Sequence, residues 1–357
     1  MSVKTILSIV GARPQFVKSA PVSRALSSRF REVLVHTGQH YDYGMSEIFF
    51  EEMEMRPPDF NLGVGGGSHG EQTGRMLIEL EKVVNEAKPD CILVYGDTNS
   101  TLVGAVVAAK AGIPLAHVEA GLRSYNRAMP EEVNRVLTDH VSNFLFCPTD
   151  AAIDNLAKEG IRKGVYRVGD VMYDALLHNI VIARKRSQVL ERLGLKKGEY
   201  VLATVHRAAT TDSLERMRSV LDAFSALSRK VVFPVHPRTR KMIQEWGLTA
   251  SSNVLFIEPQ GYFDILILQE NATCILTDLG GMQKEAYLLG VRCITLREET
   301  EWVETVSAGW NKLVGVDQQA IHTAVETWHP QGERPALYGD GHSAEQICNI
   351  LFTGLGS

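Results

Sequence analysis

The sequence lacks the features that mark membrane-spanning, disulfide-rich and nucleic-acid-binding proteins. Its 357 residues carry a formal net charge of −5, which gives no electrostatic attraction to nucleic acid or to an anionic membrane. No apolar run approaches the roughly 20 residues of a bilayer-spanning helix, and the first predicted strand is too short for a signal-peptide core. The length suits about two domains with full cores.

Paired cysteines and clustered histidines are also missing. The five cysteines have no paired spacing, and most lie in apolar, strand-like runs: Cys91, Cys147, Cys274, Cys293 and Cys348. Scattered thiols of this kind are typical of buried residues in a reducing compartment. The 11 histidines show no ligand spacing such as His-x-x-x-His. We therefore expect a cytoplasmic protein without a disulfide or a metal site.

What the sequence does contain is a nearly uninterrupted alternation of apolar strands and helical runs. The pattern predicts strands at 6–10, 33–36, 91–95, 115–118, 144–147 and 165–168, and then at 201–205, 231–235, 254–257, 274–277, 293–296 and 312–314. It predicts helices at 16–26, 45–54, 73–87, 104–111, 172–193 and 343–352, and another that begins at Pro130 with two acids in its first turn. This alternation favours an α/β protein with two Rossmann-like domains facing each other across a cleft.

One stretch, Asp278 to Ala286, places a glycine pair between a predicted strand and a predicted helix. Glycine allows a ligand to approach the backbone closely, and the N–H groups and dipole at a helix start favour an anion. Gly280 and Gly281 therefore suit a phosphate or diphosphate. Glu285, about one turn into the helix, suits the two hydroxyls of a ribose. The alternative is an ordinary strand–helix turn.

A second glycine-rich stretch, Gly63–Gly67, does not fit the dinucleotide-binding pattern. No strand is predicted before it, the GxGxxG spacing fails at Ser68, and Pro57-Pro58 marks a loop. We expect this stretch to be a loop near the entrance of a site.

Polar residues follow successive predicted strands, and ligands of parallel sheets bind outside the carboxyl ends of the strands. These residues are Arg13 with Lys18, Gln39 with His40, Asp97, Glu119, Arg123, His206, Arg207, His236, Arg238 and Gln260. Dense charges are costly unless a ligand or one another satisfies them, and clustered acids and imidazoles suit proton transfer. Each residue alone also fits a purely structural role, such as a helix cap for Asp97 or Glu119. Their recurrence favours a functional site.

Seven motifs in order resemble the non-hydrolysing UDP-N-acetylglucosamine 2-epimerase family. They are Gly11-Ala12-Arg13-Pro14 with Lys18, Gly38-Gln39-His40, Gly96-Asp97-Thr98, the run His117–Arg123, Pro130-Glu131-Glu132 with Asn134-Arg135, His206-Arg207, and Asp278-x-Gly280-Gly281-x-Gln283-x-Glu285. The match spans nearly the whole chain. It implies a GT-B-like pair of domains, usually in a homodimer, whose last helix crosses back onto the first domain. We accordingly predict domains at 1–170 and 171–342, with residues from about 343 to 357 packing on the first.

The resemblance implies epimerisation at carbon 2 between UDP-GlcNAc and UDP-ManNAc, through loss of UDP and an enzyme-bound 2-acetamidoglucal, without a redox cofactor. By resemblance, the carboxylates of the proton steps are Asp97, Glu119 and Glu131, and the imidazole near the leaving diphosphate is His206. The residues expected to bind substrate are Arg13 and Lys18 (phosphate or sugar oxygens), Gly280 and Gly281 (diphosphate), Glu285 (ribose), Gln260 and Ile265 (uracil), with Gln39, Arg123, Arg207, His236 and Arg238 beside them.

Two motifs depart from the family pattern. Leu279 stands where the family usually has serine, which removes one hydroxyl donor to the diphosphate, a loss of roughly 1–3 kcal/mol. After His206-Arg207, the family's x-Glu-Asn is here Ala208-Ala209-Thr210. These changes leave open a catalytically impaired UDP-sugar binder, and the two-domain shape also serves GT-B glycosyltransferases.

A branch within the family is a closer alternative. Trp302 stands where many members have arginine, and residues 300–304 look similar to the branch that acts on UDP-2,3-diacetamido-2,3-dideoxyglucuronate. Such an enzyme would serve surface polysaccharide biosynthesis. The family resemblance therefore leaves two candidate sugars.

Overall fold

A computed structural model describes residues 3–39 and 55–356. The chain divides into two compact units, one ending at Leu177 and resuming at Ala336, the other covering His178–Pro335. Each unit is built on its own parallel sheet. The predicted α/β class with two Rossmann-like units is therefore confirmed.

The first unit contains a parallel sheet whose described strands lie in the order β3-β2-β1-β4-β5-β6-β7. The strands are β1 (Thr5–Val10), β2 (Arg31–His36), β3 (Phe60–Asn61), β4 (Cys91–Tyr95), β5 (Leu115–Val118), β6 (Phe144–Cys147) and β7 (Val165–Arg167). Ile9 of β1 pairs with Val35 on one side and with Val94 on the other. The order reverses between β1 and β4, which makes the tips of these strands the expected ligand position.

The helices of the first unit pack on this sheet. They are α1 (Arg13–Leu26), α2 (His69–Ala87), α3 (Asn99–Ala111), α4 (Pro130–Val141), α5 (Asp150–Lys158), the first part of α6 (Val171–Arg186), and the late helix α15 (Ser343–Gly354). The late helix packs on α1: the Phe352 ring lies 6.2 Å from that of Phe30, and the Cys348 thiol donates to the carbonyl oxygen of Ala25.

The second unit repeats the arrangement with the order β10-β9-β8-β11-β12-β13. Its strands are β8 (Tyr200–Thr204), β9 (Lys230–Pro234), β10 (Val254–Ile257), β11 (Ile275–Thr277), β12 (Cys293–Thr295) and β13 (Asn311–Leu313). Its helices are α7 (Val189–Arg192), α8 (Ala208–Thr211), α9 (Leu214–Ser225), α10 (Pro237–Glu245), α11 (Tyr262–Asn271), α12 (Gly280–Leu289), α13 (Val303–Ser307) and α14 (Gln318–Thr327).

The central strands of both sheets are buried on both faces, so they appear in the sequence as continuous apolar runs. In the first unit Leu7, Ile92 and Val94 belong to one core, and in the second Val201, Phe233 and Leu276 belong to another. Within the described ranges, no helix is long and apolar enough to cross a bilayer.

Apart from shifts at the ends of elements, the predicted elements differ from the observed ones in three places within the described residues. The helix predicted at 172–193 is interrupted after Arg186, because the hydroxyl of Ser187 donates to Asp264 at 2.5 Å and also caps the N–H of Val189. The short strand β3 and helix α5 were not predicted. The helix predicted at 45–54 lies outside the described residues.

Candidate active site

Asp97 follows β4 at its carboxyl end and is held from two sides by helix α4. Oδ2 of Asp97 accepts from Nη1 of Arg135 at 2.5 Å, and its carbonyl oxygen accepts from the amide of Asn134 at 2.9 Å. The N-cap of α3 is Thr98, so Asp97 does not fill the capping role considered above. Burial raises the pKa of Asp97 above its usual value, the charges of Lys18 and Arg135 oppose this rise, and Glu119 and Glu131 add to it. A carboxyl in this setting suits proton transfer.

Glu119 follows the neighbouring strand β5. Its Oε1 accepts from Nζ of Lys18 at 2.7 Å, with both side chains only about a tenth exposed. Glu119 has a φ of +73°, a conformation that costs free energy in any residue with a Cβ and that is concentrated at functional sites. Gly96 lies beneath this ion pair: an added Cβ would come within 3.2 Å of the Lys18 ammonium. Asp97 and Glu119 therefore lie on adjacent strand tips, each beside a cation.

The acids at the start of α4 differ in exposure. Glu131 is exposed, and its charge reaches Asp97. Glu132 is buried and accepts from the N–H groups of Ser124 and Tyr125 and from Arg135, which together hold its pKa low although burial raises it. Sequence reasoning assigned no role to Glu132. The spacing Glu132-x-x-Arg135, which favours a helical ion pair, was the available signal.

The guanidinium of Arg123 forms a buried network of ion pairs with two further acids. Its Nε and Nη2 donate to Glu159 at 2.7 and 2.8 Å, and its Nη1 donates to Asp139 at 2.7 Å. The guanidinium is only 1% exposed. In this structure Arg123 orders the turn that follows Glu119, and the donors predicted to reach a substrate are already engaged. Burial lowers the pKa of Arg123, but the hydrogen bonds and negative charges of Glu159 and Asp139 outweigh burial and raise it.

Gln39 lies at the tip of β2, where its Oε1 accepts from the N–H and the hydroxyl of Ser100 at 3.0 and 2.7 Å. His40 lies outside the described residues, as does the side chain of Arg13. Gln15, which the sequence analysis did not single out, caps the first helix: its Oε1 accepts from Gly11 N–H at 2.8 Å, and its amide donates to the Tyr95 carbonyl at 2.7 Å. This amide joins the turn after β1 to the tip of β4.

In the second unit, Asp278 joins the turns that follow β8 and β11. Its buried carboxylate accepts from the N–H of His206 at 3.0 Å and from that of Arg207 at 3.0 Å. Burial raises the pKa of Asp278, and these main-chain N–H groups oppose the rise. The imidazole of His206 lies edge-on to that of His236, with ring centres 5.4 Å apart. The predicted imidazoles of this unit are thus brought together.

The glycine pair opens helix α12, as predicted, and Gly290 closes the helix with a left-handed φ of +71°. The carboxylate of Glu301 lies directly against Gly280: a Cβ there would sit 1.9 Å from its Oε1. Gly281, in contrast, faces no atom within 4 Å. Leu279 provides no side-chain cap. The start of α12 therefore offers main-chain N–H groups and open space beside Gly281, which suit an anion.

The remaining predicted binding residues are fixed by neighbours in the second unit. Oε2 of Glu285 accepts from Gln269 at 2.7 Å. Gln260 accepts from Arg192 at 2.6 Å and donates to the Glu258 carbonyl. Nη2 of Arg238 donates to both carboxylate oxygens of Asp212 at 2.8 Å, and the Arg238 side chain remains largely exposed. Ile265 is half-buried in α11.

The two sets of residues have different chemical capacities. The first unit brings together carboxylates and cations that can hold or move a proton. The second provides imidazoles beside a helix start that can stabilise a negative charge. Each capacity lies within its own unit.

Comparisons with known proteins identify the family of this chain. The sequence profile of the UDP-N-acetylglucosamine 2-epimerase family matches residues 24–352. A UDP-N-acetylglucosamine 2-epimerase homolog of Methanococcus maripaludis is 50% identical over 352 residues, which cover 97% of this chain and 99% of the relative. The UDP-2,3-diacetamido-2,3-dideoxy-D-glucuronate 2-epimerase of Pseudomonas aeruginosa is 45% identical, with 97% and 99% covered.

A solved structure extends the likeness to the fold. The UDP-GlcNAc 2-epimerase of Methanocaldococcus jannaschii, in complex with UDP-GlcNAc and UDP, superposes with a TM-score of 0.85 at 44% identity over 97% of this chain and 99% of that one. The profile match and these relatives cover nearly the whole sequence. The chain belongs to the UDP-N-acetylglucosamine 2-epimerase family.

Proposed function

We propose that this protein is a non-hydrolysing UDP-N-acetylglucosamine 2-epimerase that interconverts UDP-GlcNAc and UDP-ManNAc. The observation that carries the proposal is the pair of ion-paired carboxylates, Asp97 with Arg135 and Glu119 with Lys18, on adjacent strand tips of a chain of this family. Removal of a proton from carbon 2 needs a positioned carboxylate, and its return to the opposite face needs a second group.

The proposed reaction runs by elimination and re-addition. The carbon 2–hydrogen bond breaks as a carboxylate takes the proton, and the carbon 1–oxygen bond breaks as UDP leaves, which gives a 2-acetamidoglucal. UDP then re-adds at carbon 1 while a proton is delivered to the other face of carbon 2. We assign the proton steps to Asp97, Glu119 and Glu131 as a set.

Departure of UDP requires stabilisation of the developing negative charge. We assign this to His206, whose loop is anchored on Asp278, and to the main chain at Gly280 and Gly281. Glu285 would take the ribose hydroxyls, and Gln260 with Ile265 the uracil. The binding roles predicted for Arg13, Lys18, Gln39, Arg123, Arg207, His236 and Arg238 belong to the same proposal, and for Arg123 the engaged guanidinium argues for an indirect part.

A second sugar has specific support. The Pseudomonas aeruginosa enzyme, named for UDP-2,3-diacetamido-2,3-dideoxy-D-glucuronate, is as similar to this chain over its full length as the named UDP-GlcNAc 2-epimerase of Methanococcus maripaludis, both at 45% identity. Trp302, the residue that suggested this branch, stacks against the ammonium of Lys284 at 4.3 Å. A cation beside the nucleotide turn suits a more anionic donor.

The decisive experiment is incubation in deuterium oxide with UDP-GlcNAc and, in parallel, with the diacetamidoglucuronate donor, followed by proton NMR. We expect deuterium at carbon 2 and formation of the manno epimer from the preferred donor. Retention of the hydrogen with both donors, by protein that still binds UDP, would contradict the proposal and favour a binder or a glycosyltransferase. Leu279→Ser, which restores the usual family residue, distinguishes an impaired enzyme because exchange should then appear or increase.

The homodimer implied by the family resemblance and the cytoplasmic location expected from the scattered thiols are also proposals. Light scattering of the purified full chain tests the first, and fractionation of producing cells tests the second.

A further inference from the structure

His117, in β5, lies completely buried behind the two ion-paired carboxylates. Its Nδ1 is 2.7 Å from Oδ1 of Asp139, and its Nε2 is 2.7 Å from the carbonyl oxygen of Gly96. Neither the site assignments above nor the reaction itself uses this side chain. Its two contacts nevertheless define its protonation state.

Both partners of the ring are hydrogen-bond acceptors. A main-chain carbonyl oxygen can only accept, so Nε2 of His117 must carry a hydrogen. Oδ2 of Asp139 already accepts from Arg123 and from the N–H of Gly121, as an ionised carboxylate does. Oδ1 of the same carboxylate then accepts as well, so Nδ1 also carries a hydrogen. A ring that donates from both nitrogens is an imidazolium.

The charges of Asp139, Arg123 and Glu159 balance when the ring carries a positive charge, and Glu159, whose side chain is a quarter exposed, also lies 3.7 Å from Nδ1 of His140. Asp139 and Glu159 supply two negative charges, and Arg123 supplies one positive charge. The imidazolium of His117 supplies the second. Burial raises the pKa of Asp139, but His117 and Arg123 outweigh it and hold that pKa below its usual value. A buried cluster with an unpaired charge would be strongly destabilised.

The ring of His117 donates a hydrogen bond to the peptide unit that leads into Asp97. The carbonyl of Gly96 belongs to the peptide unit that joins it to Asp97, and the N–H of Gly96 donates to Val118 at 3.0 Å. Gly96 has a φ of +64°, and a Cβ there would lie 3.2 Å from Nζ of Lys18, which pairs with Glu119. The two peptide units that flank Gly96 therefore join the residues that lead into both carboxylates: one accepts from His117 before Asp97, and the other donates to Val118 before Glu119.

We propose that His117 is a positioning residue that donates from both ring nitrogens, and that its Nε2–H bond to Gly96 fixes Asp97 and Glu119 for the proton steps at carbon 2. This inference rests on the proposed epimerase function for its kinetic readout. Its statement about the ring, however, stands independently of the reaction. Displacement of a catalytic group by about 1 Å costs on the order of 10²-fold in rate, so the bond has a measurable consequence.

The protonation state is tested on the unmodified full-length protein labelled with ¹⁵N-histidine. We expect one histidine with two ring N–H groups, both slow to exchange, at a pH where the exposed histidines hold one proton. The variant His117→Gln identifies the signal by its loss. A buried ring with a single N–H would overturn the proposal, whether or not the protein is an epimerase.

The positioning role is tested by two variants that each preserve one contact. His117→Gln places an amide N–H near Nε2 and keeps the bond to Gly96, while His117→Asn places one near Nδ1 and keeps only the bond to Asp139. We expect His117→Asn to lower kcat for carbon-2 exchange on the order of 10²-fold with KM little changed. His117→Gln should retain at least about tenfold more activity than His117→Asn. His329→Gln, at an exposed histidine of the second unit, is the matched control.

The outcomes are separable. Equal losses of kcat in the two variants, with similar melting temperatures, would overturn the role of the Gly96 bond. If His117→Asn does not fold, the NMR result and His117→Gln decide: a loss greater than about 10²-fold in His117→Gln would overturn the proposal. Absence of exchange in the unmodified protein contradicts the proposed function, and the NMR result then still tests the imidazolium.

Discussion

At the strand tips of the first unit, the carboxylates of Asp97 and Glu119 each lie within 2.7 Å of a cationic side chain. At the strand tips of the second unit, Asp278 instead accepts main-chain N–H groups, and the start of α12 presents its own. Side-chain ion pairs hold groups whose protonation changes during a reaction. Main-chain donors do not titrate, so they suit an anionic ligand that gains negative charge as it leaves without exchanging a proton with the protein.

This contrast predicts that changes in the two units affect different kinetic parameters, which measurements of variants can test. Changes in the first unit should lower kcat or shift its pH dependence, since they alter proton transfer. Changes at the turn of the second unit should raise KM or lower kcat without a shift in pH dependence, since they alter the binding of the diphosphate and the stabilisation of its developing charge. A second-unit variant that shifts the pH dependence of kcat would show that the comparison is wrong.

The largest effect is expected from Asp97→Asn, which keeps the size of the side chain and removes its capacity to take a proton. General acid–base catalysis contributes about 10²- to 10⁴-fold, so we expect kcat for carbon-2 deuterium exchange to fall by that factor while KM changes little. Asp154→Asn, at an exposed position of α5, is the control and should keep full activity. Survival of exchange in Asp97→Asn would remove Asp97 from the proton steps.

A smaller effect is expected from Gly280→Ala in the second unit. The added Cβ would displace the Glu301 carboxylate, so we expect KM for the UDP-sugar to rise about tenfold, equivalent to about 1.4 kcal/mol, with a lower melting temperature. Gly281→Ala meets no neighbouring atom, and its melting temperature should be unchanged. Addition of Glu301→Ala to Gly280→Ala should restore the melting temperature. Equal destabilisation by the two alanines would contradict this account.

The pH dependence of kcat/KM provides a third test. Burial raises the pKa of Asp97, and the largest opposing influence is the charge of Lys18. Lys18→Met removes that charge, so the pKa should rise further. If Asp97 acts ionised, activity is then lost at a higher pH as the solution is acidified. Lys110→Met, at an exposed position of α3, is the control. An acid limb that stays in place or moves to lower pH would exclude Asp97 as the group responsible.

The smallest effect concerns backbone strain. Lys88, at the end of α2, has a φ of +46°, and it lies before β4, at the opposite end of that strand from Asp97. Lys88→Gly should stabilise the fold by about 0.5–1 kcal/mol in denaturant unfolding without a change in activity. Glu119→Gly, at another of the positions with a positive φ, should abolish most activity. A loss of activity in Lys88→Gly would show that the strained backbone at Lys88, like that at Glu119, is needed for activity.

The sequence predicted strands more accurately than it predicted side-chain partners. Buried parallel strands leave apolar runs that are visible locally, and the observed bounds of β4, β5 and β6 equal the predicted ones. The interruption of the helix at Ser187 depends on Asp264, far along the chain, so no local pattern indicates it. Strand β3 has only two residues between a proline pair and a glycine, too few to form a pattern.

Site residues were identified as a set but not in their contacts. The positions of Asp97, Glu119 and the glycine pair follow from the rule that sites lie at strand tips. Arg123 obeys the same rule, yet Asp139 and Glu159 engage it, and both acids lie on helices whose packing the sequence does not reveal. The same limitation concealed Arg135, the direct partner of Asp97.

The packing of α15 on the first unit has a consequence for biosynthesis. This helix supplies Ile347 and Leu351 to the buried interior and contacts α1 through Cys348, yet it follows the entire second unit in the sequence. The second unit is therefore translated before the helix that completes the first. Until α15 is translated, the side of α1 that it contacts remains uncovered, so in the cell the maturation of the N-terminal unit depends on a helix that follows the second unit.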